Sequence, residues 1–133
     1  MIEIQGVSKA FGQTAALHSI NLTIPAGQTT AFIGQSGCGK STILRLIIGL
    51  IQADSGSVFF KGTKVTPETV ISLRRKMGYV IQEGGLFPHL TAHENVVLMA
   101  RYLGWSDERI NERLNELIKL THFPSEGLER FPV

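Results

Sequence analysis

Nothing in this chain restricts its fold as much as the nine residues GQSGCGKST, Gly34 to Thr42. They follow the apolar run at 30–33 and precede the apolar segment ILRLIIGLI. A buried strand is therefore expected to enter the segment and a helix to leave it. Gly34, Gly39, Lys40 and Ser41 match G-x-x-x-x-G-K-[ST], a loop whose geometry demands that strand–loop–helix setting.

The residue types point to phosphate. Gly34, Gly37 and Gly39 let backbone N–H groups turn inward and approach anionic oxygens without a side chain in the way. The backbones of Gln35, Ser36 and Cys38 complete the cradle, and the following helix directs its positive dipole end at the same anion. Lys40 supplies a full charge for the β- and γ-phosphates of a nucleotide such as ATP, Ser41 a hydroxyl for Mg²⁺, and Thr42 a hydrogen bond near the α-phosphate. Cys38 contributes through its main chain, with no redox role assigned to its thiol.

Composition bears on what else the chain can be. Its 133 residues amount to one ordinary domain. With 43% hydrophobic and 18% charged residues, it has enough apolar material to offset chain entropy, so disorder is not expected. Thirteen basic against eleven acidic residues leave a net charge of +2, and outside Arg74, Arg75 and Lys76 the basic residues are scattered. That gives no electrostatic case for nucleic acid. A single cysteine excludes an internal disulfide. The opening MIEIQGVSKAFG does not read as a secretory signal, and the longest apolar stretch is too short to span a bilayer, so a cytoplasmic location is expected.

Along the chain, IEIQ, LHSINLTI, residues 30–33, GSVFFKG and GYVIQ read as strands. The helix after the phosphate loop is apolar nearly all round, which predicts burial on most sides, and residues 69–76 suit a short helix. Thr91 and Glu94 have capping-box spacing, with Val96, Met99, Ala100 and Leu103 expected on one helix face. Ser106 is expected to cap a second helix, with Ile110, Leu114, Leu117 and Ile118 on its apolar side. Glu94 is thus a cap partner. His89 and His93 read as surface residues, and His18 and His122 carry no signal.

Taken in order, these segments resemble the ATP-binding subunit of ABC transporters over the whole chain. IEIQGVSKAFGQTAALHSINLTIPAGQTTAFIGQSGCGKST is similar to that family's β-rich start, SGSVFFKG to its next strand, and RRKMGYVIQEGGLFPHLTAHENV to its Q-loop region. The resemblance implies an α/β P-loop NTPase fold of ABC ATPase type. Residues 1–90 would hold the β-rich flank, phosphate-loop core and Q-loop, and residues 91–133 part of a helical subdomain. It implies that Phe11 stacks on adenine, where Tyr is more usual, and that Gln82 contacts Mg²⁺ or the attacking water. Gln35 replaces a frequent Pro. YVIQEGGLFPHLTAHENV with LGW is most similar to importers of quaternary-amine osmoprotectants such as glycine betaine.

The implied partners are membrane permease subunits, met through residues 86–96, and a second ATP-binding subunit. The implied location is the inner face of the cell membrane. The family's LSGGQ motif, its apolar run ending in Asp-Glu and its switch His do not occur in these 133 residues; Glu83 in VIQE does not fit that run. The chain therefore reads as the first, truncated part of such a domain, expected to bind nucleotide without hydrolysing it alone and to self-associate. A small P-loop kinase would need a lid with several arginines, and a GTPase would need Asn-Lys-x-Asp, which is not present.

Overall fold

A computed structural model of the chain describes residues 1–82 and 84–132, so Glu83 and Val133 fall outside the described residues. The molecule divides into two compact units, Met1–Tyr79 and Val80–Val133.

The first unit is built on a four-stranded antiparallel sheet of order β2-β1-β3-β4. Its strands are β1 (Ile2–Phe11), β2 (Thr14–Ile24), β3 (Ser55–Phe60) and β4 (Thr63–Lys64). Ile2 and Ile4 follow the period-two alternation of a half-buried strand. A register shift between Ile4 and Val7, with Gly6 at φ 59°, then restores the inward face at Val7. Ile4 and Val7 join Leu17, Val58 and the helix residues Leu46 and Ile47 in one core.

Helix α1 (Lys40–Ile47) leaves the glycine-rich loop, and α2 (Val70–Arg74) follows the sheet. The α1 segment is less enclosed than its composition predicts. Only Leu46 and Ile47 are buried, Leu44 is 41% exposed, and the helix stops before Gly49. One face on the sheet suffices for so short a helix, and the remaining apolar residues stay at the surface.

Two expected strands are corrected. Neither 30–33 nor 78–82 is in a strand, and among the described residues neither run takes part in a backbone hydrogen bond. Ile33 is 95% and Val80 94% exposed. Apolar composition reports a tendency to be buried, whereas a strand exists only when a neighbour accepts and donates its ladder bonds. IEIQ, LHSINLTI and GSVFFKG have such neighbours and form β1, β2 and β3.

The second unit holds α3 (Ala92–Tyr102), α4 (Asp107–Thr121) and a 3₁₀ turn at Ser125–Gly127. The capping box is realised: Glu94 N donates to Thr91 Oγ1 at 3.2 Å, and Thr91 N donates to Glu94 Oε2 at 2.7 Å. Ser106 accepts from Arg109 N at the start of α4. Ile110 and Leu114 are buried as expected, but on α3 the buried residue is Val97, while Val96 and Met99 lie about half exposed. Ala100, on the expected face, packs against the same cluster, and the contact with α4 centres on Val97 in place of Val96. Main-chain bonds from Ala92 N to Arg130 O and from His93 N to Leu128 O tie the end of this unit back to α3. No helix among the described residues is long and apolar enough to cross a membrane.

Candidate nucleotide-binding site

Around residues 34–41 the backbone carries the unusual conformations expected of a phosphate cradle. Gly37 has φ 83° and Gly39 φ 93°, both in the left-handed region that disfavours L side chains. Gly39 is needed for a second reason. A Cβ there would sit 2.8 Å from both the Ala16 carbonyl oxygen and Leu17 Cδ2, so the loop approaches β2 as closely as the main chain permits. A Cβ on Gly34 would stand 2.7 Å from Cys38 Sγ, and Cys38 N closes a turn to Gln35 O at 3.3 Å. Ser36 lies exposed within this turn.

Helix α1 starts directly on the loop with Gly39 as its N-cap, and among the described residues no side chain accepts a hydrogen bond from its first turn. The first N–H groups of a helix have no partner within it. Without a capping side chain, they remain free for an anion at the helix's positive end. Lys40 crosses the loop: its Nζ donates to Gly34 O at 2.8 Å and Gln35 O at 2.6 Å, and stands 3.5 Å from Cys38 Sγ. A full positive charge is thus held at the mouth of a ring of peptide groups. Ser41 is exposed and Thr42 half-buried in the first turn of α1.

Phe11 ends β1 and is 49% exposed. The β1–β2 register opposes Lys9 to Leu17 and Ala10 to Ala15, skipping Ala16, whose carbonyl is the group that faces Gly39. One hairpin therefore carries the exposed aromatic ring at its tip and abuts the phosphate loop a few residues away. Gln82 belongs to the second unit and is exposed in a bend.

A phosphate chain fits the loop because uncapped helix N–H groups, left-handed glycines and an ammonium converge there. Mg²⁺ has fewer protein donors. Ser41 offers one oxygen, and among the described residues no group of three or more His, Cys, Asp or Glu could hold a metal. A hard cation at Ser41 would take its remaining ligands from phosphate and water, as Mg²⁺ ordinarily does.

Three residues with structural roles here were missed in the sequence. Asp54 accepts from Lys9 Nζ at 2.6 Å and Ala10 N at 2.7 Å, which holds its carboxyl below the usual carboxylate range, the Lys9 hydrogen bond being the larger cause. Arg74 donates from Nε to Ile48 O and from Nη2 to Gly49 O, at 2.8 and 2.7 Å, satisfying carbonyls at the end of α1. Asn95 accepts from Phe87 N and donates to the Phe87, Leu90 and Thr91 carbonyls, fixing the loop before α3. An Asn in the first turn of a helix is a local signal for this; Asp54 and Arg74 act across 44 and 25 or more residues and leave none.

Mixed α/β architecture with a glycine-rich loop opening a helix defines a P-loop domain. A family model for the ABC transporter matches residues 17–131, and the chain belongs to that family. It is 43% identical over 133 residues to the glycine betaine/carnitine/choline transport ATP-binding protein of Bacillus subtilis, covering 99% of this chain and 35% of that protein. Against the glycine betaine uptake system ATP-binding protein of Escherichia coli it is 42% identical over 132 residues, covering 99% of this chain and 43% of the relative. Among solved structures it matches a dimeric ATP-binding cassette in a post-hydrolysis state, bound to ADP and Pi. The TM-score is 0.86 at 31% identity, over 99% of this chain and 62% of the other. The chain spans about a third of the length of the first of these relatives.

Proposed function

We propose that this chain supplies the nucleotide-gripping part of an ATP-binding subunit in an ABC importer of osmoprotectants, of the glycine betaine type. The observation that carries the reading is Lys40, held by the Gly34 and Gln35 carbonyls at the uncapped start of α1. The names of the B. subtilis and E. coli relatives support the solute class.

In this reading the backbone of Gly34, Gln35, Ser36, Gly37, Cys38 and Gly39 holds the β- and γ-phosphates of ATP. Lys40 turns part of its donor capacity from loop carbonyls to the γ-phosphate and stabilises the charge spread over its oxygens during in-line attack by water. Ser41 would hold Mg²⁺, which would neutralise phosphate charge when bound, with Gln82 proposed to contact that ion or the attacking water, and Thr42 would reach the α-phosphate region. In contact with the water, Gln82 would orient it without taking its proton, as a neutral amide can. Phe11 supplies the surface on which adenine stacks. Residues 1–90 form the nucleotide and Q-loop part, and 91–133 belong to the helical subdomain.

The proposed partners are a second ATP-binding subunit across the nucleotide and permease subunits reached through residues 86–96, at the inner face of the membrane. Leu86 and Phe87 are 58% and 49% exposed in that segment, and Asn95 holds the loop in one shape for docking. By itself the 133-residue chain is proposed to bind ATP without turnover, since it contains no Asp-Glu after an apolar run to activate water.

Titration calorimetry with Mg-ATP tests the site. Lys40→Ala is expected to weaken binding roughly 10- to 150-fold, the worth of a hydrogen bond to a charged group. Unchanged affinity in that variant would refute the assignment. Release of γ-phosphate by the chain alone, abolished by Lys40→Ala, would refute the non-hydrolysing reading while leaving the site in place.

A further inference from the structure

At the tip of β1, polar fastening is concentrated on the half-buried Ser8 and Lys9 and the exposed Ala10. The skipped register at Ala16 breaks the even sequence of β1–β2 pairs beside Ala10. Asp54, just before β3, meets the Ala10 N–H with Oδ2 at 2.7 Å. Its Oδ1 accepts from Lys9 Nζ at 2.6 Å, and its own N–H donates to Ser8 O at 3.0 Å. Three consecutive residues of β1 are thereby tied to one aspartate, and the next residue is Phe11. On the β2 side, the same hairpin end abuts Gly39 through the Ala16 carbonyl.

The fastening also governs a charge. Lys9 Nζ lies 5.6 Å from the centre of the Phe11 ring, within cation–π range, while its short ion pair is with Asp54. With the ion pair intact the ammonium already lies over the ring, so Asp54, Lys9 and Phe11 are held in one arrangement.

We propose that Asp54 is a positioning residue for the nucleobase: through Lys9 and Ala10 it holds Phe11 in place beside the phosphate loop. This rests on the reading of Phe11 as the adenine platform. Asp54 touches no nucleotide atom in this role, so its removal acts on base recognition and spares phosphate recognition.

The test is calorimetric titration of the full chain with ATP and, separately, with inorganic tripolyphosphate, each with Mg²⁺. Phe11→Ala is expected to weaken ATP binding about tenfold and leave tripolyphosphate unchanged, in keeping with the loss of one base–aromatic stack. Asp54→Ala is expected to weaken ATP about threefold or more, a fraction of the same stacking energy, with tripolyphosphate again unchanged. Asp54→Asn keeps an acceptor for Ala10 N and is expected to fall between Asp54→Ala and the unaltered chain. Preserved tripolyphosphate binding shows in each case that the loop is folded.

Equal losses for both ligands in Asp54→Ala and Asp54→Asn would overturn the proposal, because they would mark a general structural role. So would an unchanged ATP affinity in Asp54→Ala alongside a loss in Phe11→Ala. Unchanged ATP affinity in Phe11→Ala would instead refute the stacking reading, and the proposal with it. Failure of the unaltered chain to bind either ligand would refute the nucleotide site as a whole.

Discussion

A single missing Cβ decides how the phosphate loop meets the sheet. Gly39 combines φ 93° with a 2.8 Å approach to the Ala16 carbonyl, so both backbone strain and a backbone clash oppose any side chain there. Gly39→Ala is expected to cost about 1–3 kcal/mol from the left-handed conformation alone, read as a lower urea midpoint. Weaker ATP binding should accompany it, since relief of the clash must move the loop or β2. An unchanged midpoint would mean that the loop tolerates the displacement. The glycine pattern and Lys40 were legible from spacing, because a phosphate cradle restricts residue types locally. Ala16 was not, as its part in the contact arises from a skipped pairing register.

Among the elements, α3 shows best how far local chemistry reaches. Thr91 and Glu94 form the capping box their spacing predicts, and Glu94 is held below the usual carboxylate range, first by the Thr91 N–H and then by the Thr91 hydroxyl. A folded-state value lowered in this way gives stability that is present above the ordinary glutamate range and lost as pH falls through the lowered value. Helix content followed by circular dichroism should therefore fall more steeply on acidification in the unaltered chain than in Glu94→Gln; parallel curves would count against the carboxylate's role. Thr91→Ala is expected to cost about 1 kcal/mol of stability, the usual worth of an N-cap, measured by thermal unfolding. The packed face of α3 agrees with the sequence pattern at Ala100 and departs from it at Val96. Val97, rather than Val96, packs on Ile110 and Leu114, because the approach of α4 selects among several apolar positions on one helix.

At the scale of the whole molecule, large apolar side chains remain at the surface, among them Ile33, Val80, Leu86, Leu120 and Phe131. The runs at 30–33 and 78–82 offer main-chain groups that form no backbone bonds among the described residues. Unpaired apolar edges invite pairing with another chain. We propose that the isolated chain associates with itself, and light scattering over a concentration series should show a mass above 14.6 kDa that grows with concentration. A constant monomer mass would argue against it. Sequence alone determined the phosphate loop, the caps and the paired strands β1 to β3, since each is specified by residue types a few positions apart. Tertiary structure decided which apolar runs became strands and which residues fasten the site. Asp54 acts on Ala10 from 44 residues away, Arg74 reaches Gly49 from 25 away, and whether 30–33 pairs depends on a neighbouring strand. Ladder bonds and long-range hydrogen bonds need a partner brought near by folding, and the local pattern of a sequence does not encode where that partner will be.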